Sequence, residues 1–151
     1  MSELKHAESF RDLIVYQKSR QLQREIQKLT KSFPREEMFS LTDQIRRSSR
    51  SVGANIAEAW AKRRYEKHFI SKLTDSDGEQ METQDWTETA LDCEYIDQKT
   101  STKLVDKCLE IGRMLGGMMD KAEMFCGEPS RALREDIALY LVTSNEEHTG
   151  D

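Results

Sequence analysis

Apolar residues recur at helical spacing in four successive stretches of this chain, and no stretch alternates as a strand would. A helix that buries a single apolar stripe needs other helices to bury it against. Four such stretches with short connections therefore predict an all-α fold, an antiparallel up-and-down four-helix bundle. The first helix is expected over about 9–32. Phe10, Leu13, Ile14, Leu22, Ile26, Leu29 and Phe33 carry its pattern, with a gap at Gln17 to Gln21. Ser9 is its candidate N-cap, and Pro34 ends it. The second is expected over 42–62, capped by Ser40 or Thr42. At about 100° per residue, Leu41, Ile45, Val52, Ile56, Ala59 and Trp60 share one arc, with Arg46, Arg50 and Arg64 on a neighbouring exposed one.

The third helix is expected over 65–92, with Phe69, Leu73, Met81 and Leu91 on its buried side and Trp86 and Ala90 nearby. The fourth is expected over 101–125 after a Thr100 or Ser101 cap, with Leu104, Cys108, Ile111, Leu115, Met118 and Phe125 in one stripe. Between them Tyr95 and Ile96 pin the connection to the end of the core, and Gly127 and Pro129 stop the fourth helix. The middle of the second helix is dense in Ser48, Ser49, Ser51, Gly53, Ala54 and Ala57. Gly53 costs about 1 kcal/mol there relative to alanine, which marks a close helix–helix approach. Residues 1–126 thus form the bundle. Residues 127–151 are an extension with a short helical pattern over 131–142 (Leu133, Ile137, Leu141) and a polar, disordered tail.

At 151 residues the chain suits one domain, and 36% hydrophobic against 34% charged residues suits helices that each bury one stripe. No apolar run reaches the roughly 18 residues of a membrane span, and the first eight residues do not read as a secretory signal. Cys93, Cys108 and Cys126 form no CxxC pair and read as reduced thiols, so a cytoplasmic protein is expected. Net charge is −5 but unevenly spread. Residues 1–67 hold 15 Lys/Arg against 9 Asp/Glu, whereas residues 68–151 hold 8 against 19. The first half can face a polyanion or the acidic half of another copy.

Helix bundles often hold metals, yet the pattern for one is missing. A di-iron site needs two Glu-x-x-His pairs, and the single example here is Glu3 with His6 near the N-terminus. Asp75 to Glu79 resembles the start of a calcium loop, but its glycine is fourth and its twelfth position is Trp86, so an anionic helix face with Gly78 as a small packing residue is expected. Glycine-rich phosphate loops, nucleophile elbows and His-Glu-x-x-His motifs are also missing. Cys108 lies on an apolar stripe and reads as a core thiol. The expectation is a protein without catalytic residues, cofactor or metal.

Two features remain. Arg46, Arg47 and Arg50, followed by Lys62, Arg63, Arg64 and Lys67, form a basic cluster suited either to phosphate contacts or to ion pairs with the acidic third helix. Asn55-Ile56-Ala57-Glu58 sits beside the apolar arc, where Asn55 and Glu58 can hydrogen-bond across helices or pair with Lys62.

On these residues the chain resembles the bacterial four-helix bundle proteins that include those encoded in intervening sequences of 23S rRNA genes. Gln44-Ile45-Arg46-Arg47, Ser51-Val52 and Asn55-Ile56-Ala57-Glu58, preceded by Phe33-Pro34 and Leu41-Thr42, carry the resemblance. The opening Phe10 to Gln17 fits the family's first helix, and Gly78-Glu79 with Glu82 to Trp86 resembles one branch's third. Ala59, Trp60 and Thr87 depart from the family's usual residues. The resemblance implies a bundle in a ring-shaped homo-oligomer, a pentamer, with no established catalytic residues. A related bundle, the accessory variability determinant of diversity-generating retroelements, implies contact with nucleic acid and a reverse transcriptase. The expected function is a non-enzymatic oligomeric bundle whose basic half (Arg46, Arg47, Arg50, Lys62, Arg63, Arg64) contacts RNA or an RNA-handling protein. The alternatives are a pure assembly module and, more distantly, a metal-binding bundle enzyme.

Overall fold

The structure is a computed structural model that describes residues 7–127. Its expected first helix begins a turn late. Ser9 does cap, accepting from the Arg11 N–H at 3.2 Å, while the Asp12 carboxylate accepts from the Ser9 N–H at 3.1 Å. This reciprocal box closes after three residues, so Phe10–Asp12 form a single 3-10 turn. Leu13 is then extended and buried, and α1 runs Ile14–Leu29 before a last 3-10 turn, Thr30–Ser32. The gap in the apolar pattern is filled by Ser19, which is 1% exposed. Ser19 packs against Gly53, where an added Cβ would stand 2.9 Å from its Oγ. Close approach is what the glycine permits.

Helix α2 spans Leu41–Ala61. Ser40 occupies the cap position without a side-chain bond, and Thr42 is buried inside the first turn. The cap is Glu37, whose carboxylate accepts from the Leu41 N–H at 3.0 Å, a residue that sequence reading passed over. Helix α3 spans Glu66–Asp92 and ends in a Schellman turn. There Tyr95 N–H reaches Ala90 O and Glu94 N–H reaches Leu91 O, with Glu94 in the left-handed region at φ 63°. As expected, Tyr95 and Ile96 are pinned at this end. Ile96 is buried with Phe33, Leu41 and Ala90, and the Tyr95 ring lies 5.5 Å from that of Phe33.

Helix α4 starts earlier than expected, spanning Gln98–Asp120. Its cap is Asp97 and not Thr100 or Ser101. The Asp97 carboxylate accepts from the Thr100 N–H at 2.8 Å, and bonds from the Thr100 hydroxyl and N–H hold its pKa below the ordinary value. The helix also breaks at Lys121, so Ala122–Phe125 form a separate turn, α5. That bend sends Phe125 into the core, stacked 5.8 Å from Phe69. The short helical pattern over 131–142 and the polar tail lie outside the described residues.

Each main helix packs on its neighbours in sequence and α1 closes against α4, so α1 and α3 stand on one diagonal. Leu22, Ile26, Ile45, Val52, Ile56, Phe69, Leu73, Ile111 and Leu115 make the centre of the core. The buried stripe of α3 differs from expectation. Met81 is 56% exposed and Leu91 only half-buried. In their place the buried line runs Phe69, Leu73, Ser76, Gln80, Thr83, Thr87 and Ala90, an unbroken alternation of three- and four-residue steps. Four of its seven residues are polar and therefore invisible to an apolar count. The Ser76 hydroxyl donates to Val52 O at 2.8 Å, and Thr83 Oγ1 meets Ser48 Oγ at 2.9 Å. Small hydroxyl side chains let α2 and α3 share the most extensive contact of the bundle. Gly78, expected to pack, is exposed with nothing near it.

Candidate nucleic-acid interface

The basic cluster expected from sequence is divided by the fold. Arg46 turns toward α1, where its Nε donates to Thr30 Oγ1 at 2.8 Å. Arg50, exposed, donates to Gln27 Oε1 at 2.7 Å. Arg47 stays on α2 and pairs loosely with Asp43 at 3.8 Å. Because α2 ends at Ala61, Arg64 leaves the arc it was expected to share with Arg46 and Arg50 and is exposed in the turn to α3, as is Lys62. Arg63 folds back. Its guanidinium lies 3.5 Å from the Trp60 ring centroid and its Nε donates to Trp60 O at 2.9 Å, and burial pulls its pKa down from the ordinary value. Four of the six candidate side chains thus already hold partners, whereas those of Lys62 and Arg64 hold none among the described residues.

The Asn55 to Glu58 segment serves packing and one ion pair. Asn55 Nδ2 donates to Ser51 O at 2.9 Å within its own helix, Ile56 is wholly buried and Ala57 half-buried. Glu58 does not pair with Lys62. It meets Lys72 of α3 at 3.0 Å, and that bond raises the Lys72 pKa, with Asp75 at 3.5 Å adding to it. This is the cross-helix ion pair between α2 and α3, and it runs opposite to expectation, with the cation on the acidic helix.

Helix α1 carries the basic surface that sequence reading missed. Arg20, Arg24 and Lys28 lie one turn apart on the face opposite the buried Val15, Leu22 and Ile26, and Lys31 continues the line in the 3-10 turn. All four are exposed, and among the described residues none has a carboxylate within ion-pair distance. The single carboxylate of α1, Glu25, points across to Lys107 of α4, beside a second α1–α4 bridge from Lys18 to Glu110 at 2.9 Å. Two open clefts follow the line. One, of about 370 Å³, is lined by Gln23, Arg24, Gln27, Lys28, Lys31 and Arg50. The other, of about 510 Å³, is lined by Arg11, Tyr16, Gln17, Arg20, Gln21 and Arg24. Neither has an acidic lining residue. The signal was present in the spacing 20, 24, 28, 31, opposite the apolar stripe.

The outer face of α3 has the opposite sign. Glu79 is held near Glu82 and Asp75, and burial followed by the Glu82 charge raises its pKa, with Arg47 offsetting part of the effect. Among the described residues no group of three or more His, Cys, Asp or Glu is placed to hold a metal ion, and no helix is long and apolar enough to cross a membrane.

No curated protein matches this sequence. Among solved structures, the chain is similar to a protein of unknown function from the S23 ribosomal protein family of Bacteroides thetaiotaomicron. The two are 32% identical, with a TM-score of 0.64 over 70% of this chain and 98% of that one. The profile of the 23S rRNA-intervening sequence proteins matches residues 11–117, from the first 3-10 turn to the last turn of α4. With that match and with the bundle that carries it, the chain belongs to the 23S rRNA-intervening sequence protein family.

Proposed function

We propose that this chain is a non-enzymatic, self-associating helical bundle whose basic side contacts RNA or a protein that handles RNA. The observation that supports this reading is the segregation of charge by the fold. Among the described residues, cations with no carboxylate partner line α1 and reach Arg50 of α2, which is bonded only to Gln27, while carboxylates crowd the outer face of α3 on the far diagonal. A surface of exposed, unpaired guanidinium and ammonium groups attracts polyanions and holds phosphate by charge-assisted bonds. The family's name connects these proteins with 23S rRNA genes, and the structural neighbour's family name is ribosomal, which agrees with a partner of that chemistry.

Self-association, as the ring-shaped homo-oligomer implied by the sequence resemblance, leaves the basic side to RNA when its contact is apolar. A heterologous contact whose rotation closes gives a ring. The exposed Phe39 (89%) and Met38 (49%), before α2, supply apolar surface for such a contact. A second reading, a pure assembly module without RNA, is favoured by the crowding at Glu79, which a cation from another subunit would relieve.

Light-scattering mass after size exclusion, at low and high salt with the nucleic-acid absorbance ratio recorded, tests the proposal. A salt-stable oligomer that carries RNA from its expression host is expected. A nucleic-acid-free oligomer that dissociates in salt would select the assembly module, and a monomer would refute self-association.

A further inference from the structure

Of the two basic surfaces, α1 and the turn after α2, the geometry singles out α1. We infer that the outer face of α1, completed by Arg50 of α2, is the track along which a strand of RNA lays its phosphates. This rests on the RNA reading above and assigns it to residues.

The spacing of the α1 cations matches a nucleic-acid strand. Arg20, Arg24 and Lys28 are one helical turn apart, a step of about 6 Å along the axis. That step is close to the distance between successive phosphates on one strand, so a strand running along α1 meets a cation at each. Lys31 extends the line, and Arg50 flanks it across the cleft.

The α1 cations are also available. Arg47, Lys72, Lys18 and Lys107 each have a carboxylate within ion-pair distance, and Arg63 is stacked on Trp60. The α1 line has no such competitor, because Glu25 is turned away to Lys107. The equally free Lys62 and Arg64 are two cations in a turn and form no line for a strand to follow. Phosphate binding there breaks no existing ion pair.

Amide side chains lie between the cations. Gln23 and Gln27 line one cleft, Gln21 and Gln17 the other, where the Gln17 amide already donates once to Arg11 O at 3.1 Å, and the two clefts meet at Arg24. Gln27 Oε1 accepts from Arg50, which fixes that guanidinium and leaves the Gln27 amide N–H groups free to donate. Amides so placed serve phosphate and ribose oxygens. The one aromatic ring of the clefts, Tyr16, is engaged edge-on with Phe10 at 4.8 Å and offers bases no stacking platform. The track therefore reads the backbone, not the bases, and binding is sequence-tolerant and strongly salt-dependent.

The test is fluorescence anisotropy of a labelled, mixed-sequence single-stranded RNA titrated with the full chain over a salt series. Variant R20E/R24E/K28E is compared with K62E/R64E, with circular dichroism and scattering mass recorded for each. All five positions are exposed, so both variants are expected to fold. The parent chain should show a slope of log K against log salt of about −3 for four phosphate contacts. The α1 variant should lose at least about tenfold in affinity and most of that slope, and K62E/R64E should stay within about threefold. Loss confined to K62E/R64E would overturn the track and leave the RNA reading standing. A parent chain that binds no RNA would overturn both. An α1 variant of altered scattering mass would make the strip a subunit contact and overturn the track as well.

Discussion

Helices α1 and α3 face each other across the bundle and solve the same packing problem with different materials. Helix α1 buries Val15, Leu22 and Ile26, interrupted once by Ser19, and presents cations outward. Helix α3 buries Ser76, Gln80, Thr83 and Thr87 between its apolar ends and presents carboxylates. The difference shows that a buried stripe is defined by shape and satisfied polarity, not by hydrophobicity alone. A threonine inside a helix can return its hydroxyl to the carbonyl one turn back, as Thr83 does to Glu79 O at 2.8 Å and Thr87 to Thr83 O at 2.7 Å. Such a residue is buried at little cost and keeps the neighbouring helix close.

The largest expected effect tests that contrast. Leu22→Ala on α1 removes fully buried apolar volume and should cost about 2–5 kcal/mol in urea unfolding. Thr83→Val on α3 keeps the shape and leaves Ser48 its own bond to Ile45 O, so it should cost less than about 1.5 kcal/mol. Equal losses would mean that the hydroxyl seam stabilises the bundle as an apolar one does. A double-mutant cycle at the α1–α2 crossing comes next. Gly53→Ala puts a Cβ 2.9 Å from Ser19 Oγ and should destabilise by about 1 kcal/mol or more, despite the better helix propensity of alanine. With Ser19→Ala the obstruction is gone, and the same change should stabilise by up to about 1 kcal/mol. A cycle with no coupling would dissolve the close approach.

These cases mark where the sequence is readable. Helices α1, α2 and α4 are evident because Leu22 and Ile26, Ile45 and Ile56, or Leu104 and Ile111 repeat at helical spacing. The stripe of α3 is not, since its middle positions are polar and Met81, the obvious apolar candidate, faces outward. Caps were half legible. Ser9 is recognisable, whereas Glu37 and Asp97 act from positions that depend on how the preceding turn is folded. The basic surface was legible in kind but not in place. Adjacent arginines at 46, 47 and 50 draw attention in a sequence, yet the fold engages them with Thr30, Asp43 and Gln27. The cations of α1 are spaced apart in sequence and become a line only on a helix.

Smaller effects sharpen the ends of the comparison. Glu94 closes α3 in the left-handed region, where glycine is free of strain. Glu94→Gly should raise stability by about 0.5–1 kcal/mol, measured as a higher Tm, and a lower Tm would show that the Glu94 side chain holds the turn. Cys108 of α4 gives the smallest effect near neutral pH. Burial pushes its thiol from 9.0 up to about 12, so the folded chain keeps a proton that the unfolded chain releases. That contribution is complete below pH 9 and is lost as pH rises toward 12. Between pH 9 and 10 the Tm of the parent should therefore fall more steeply than that of Cys108→Ala, and identical slopes would refute the burial effect.

The proposed RNA track along α1 would shield the lysines of that line from a reagent in solution. Lysine acetylation of the folded chain, with and without a single-stranded RNA oligonucleotide and read residue by residue by mass spectrometry, tests it most directly. Protection of Lys28 and Lys31, with Lys62, Lys67, Lys72 and Lys99 labelled as before, is the expected result. Protection at Lys62 and Lys67 alone, or no protection at any lysine, would contradict it.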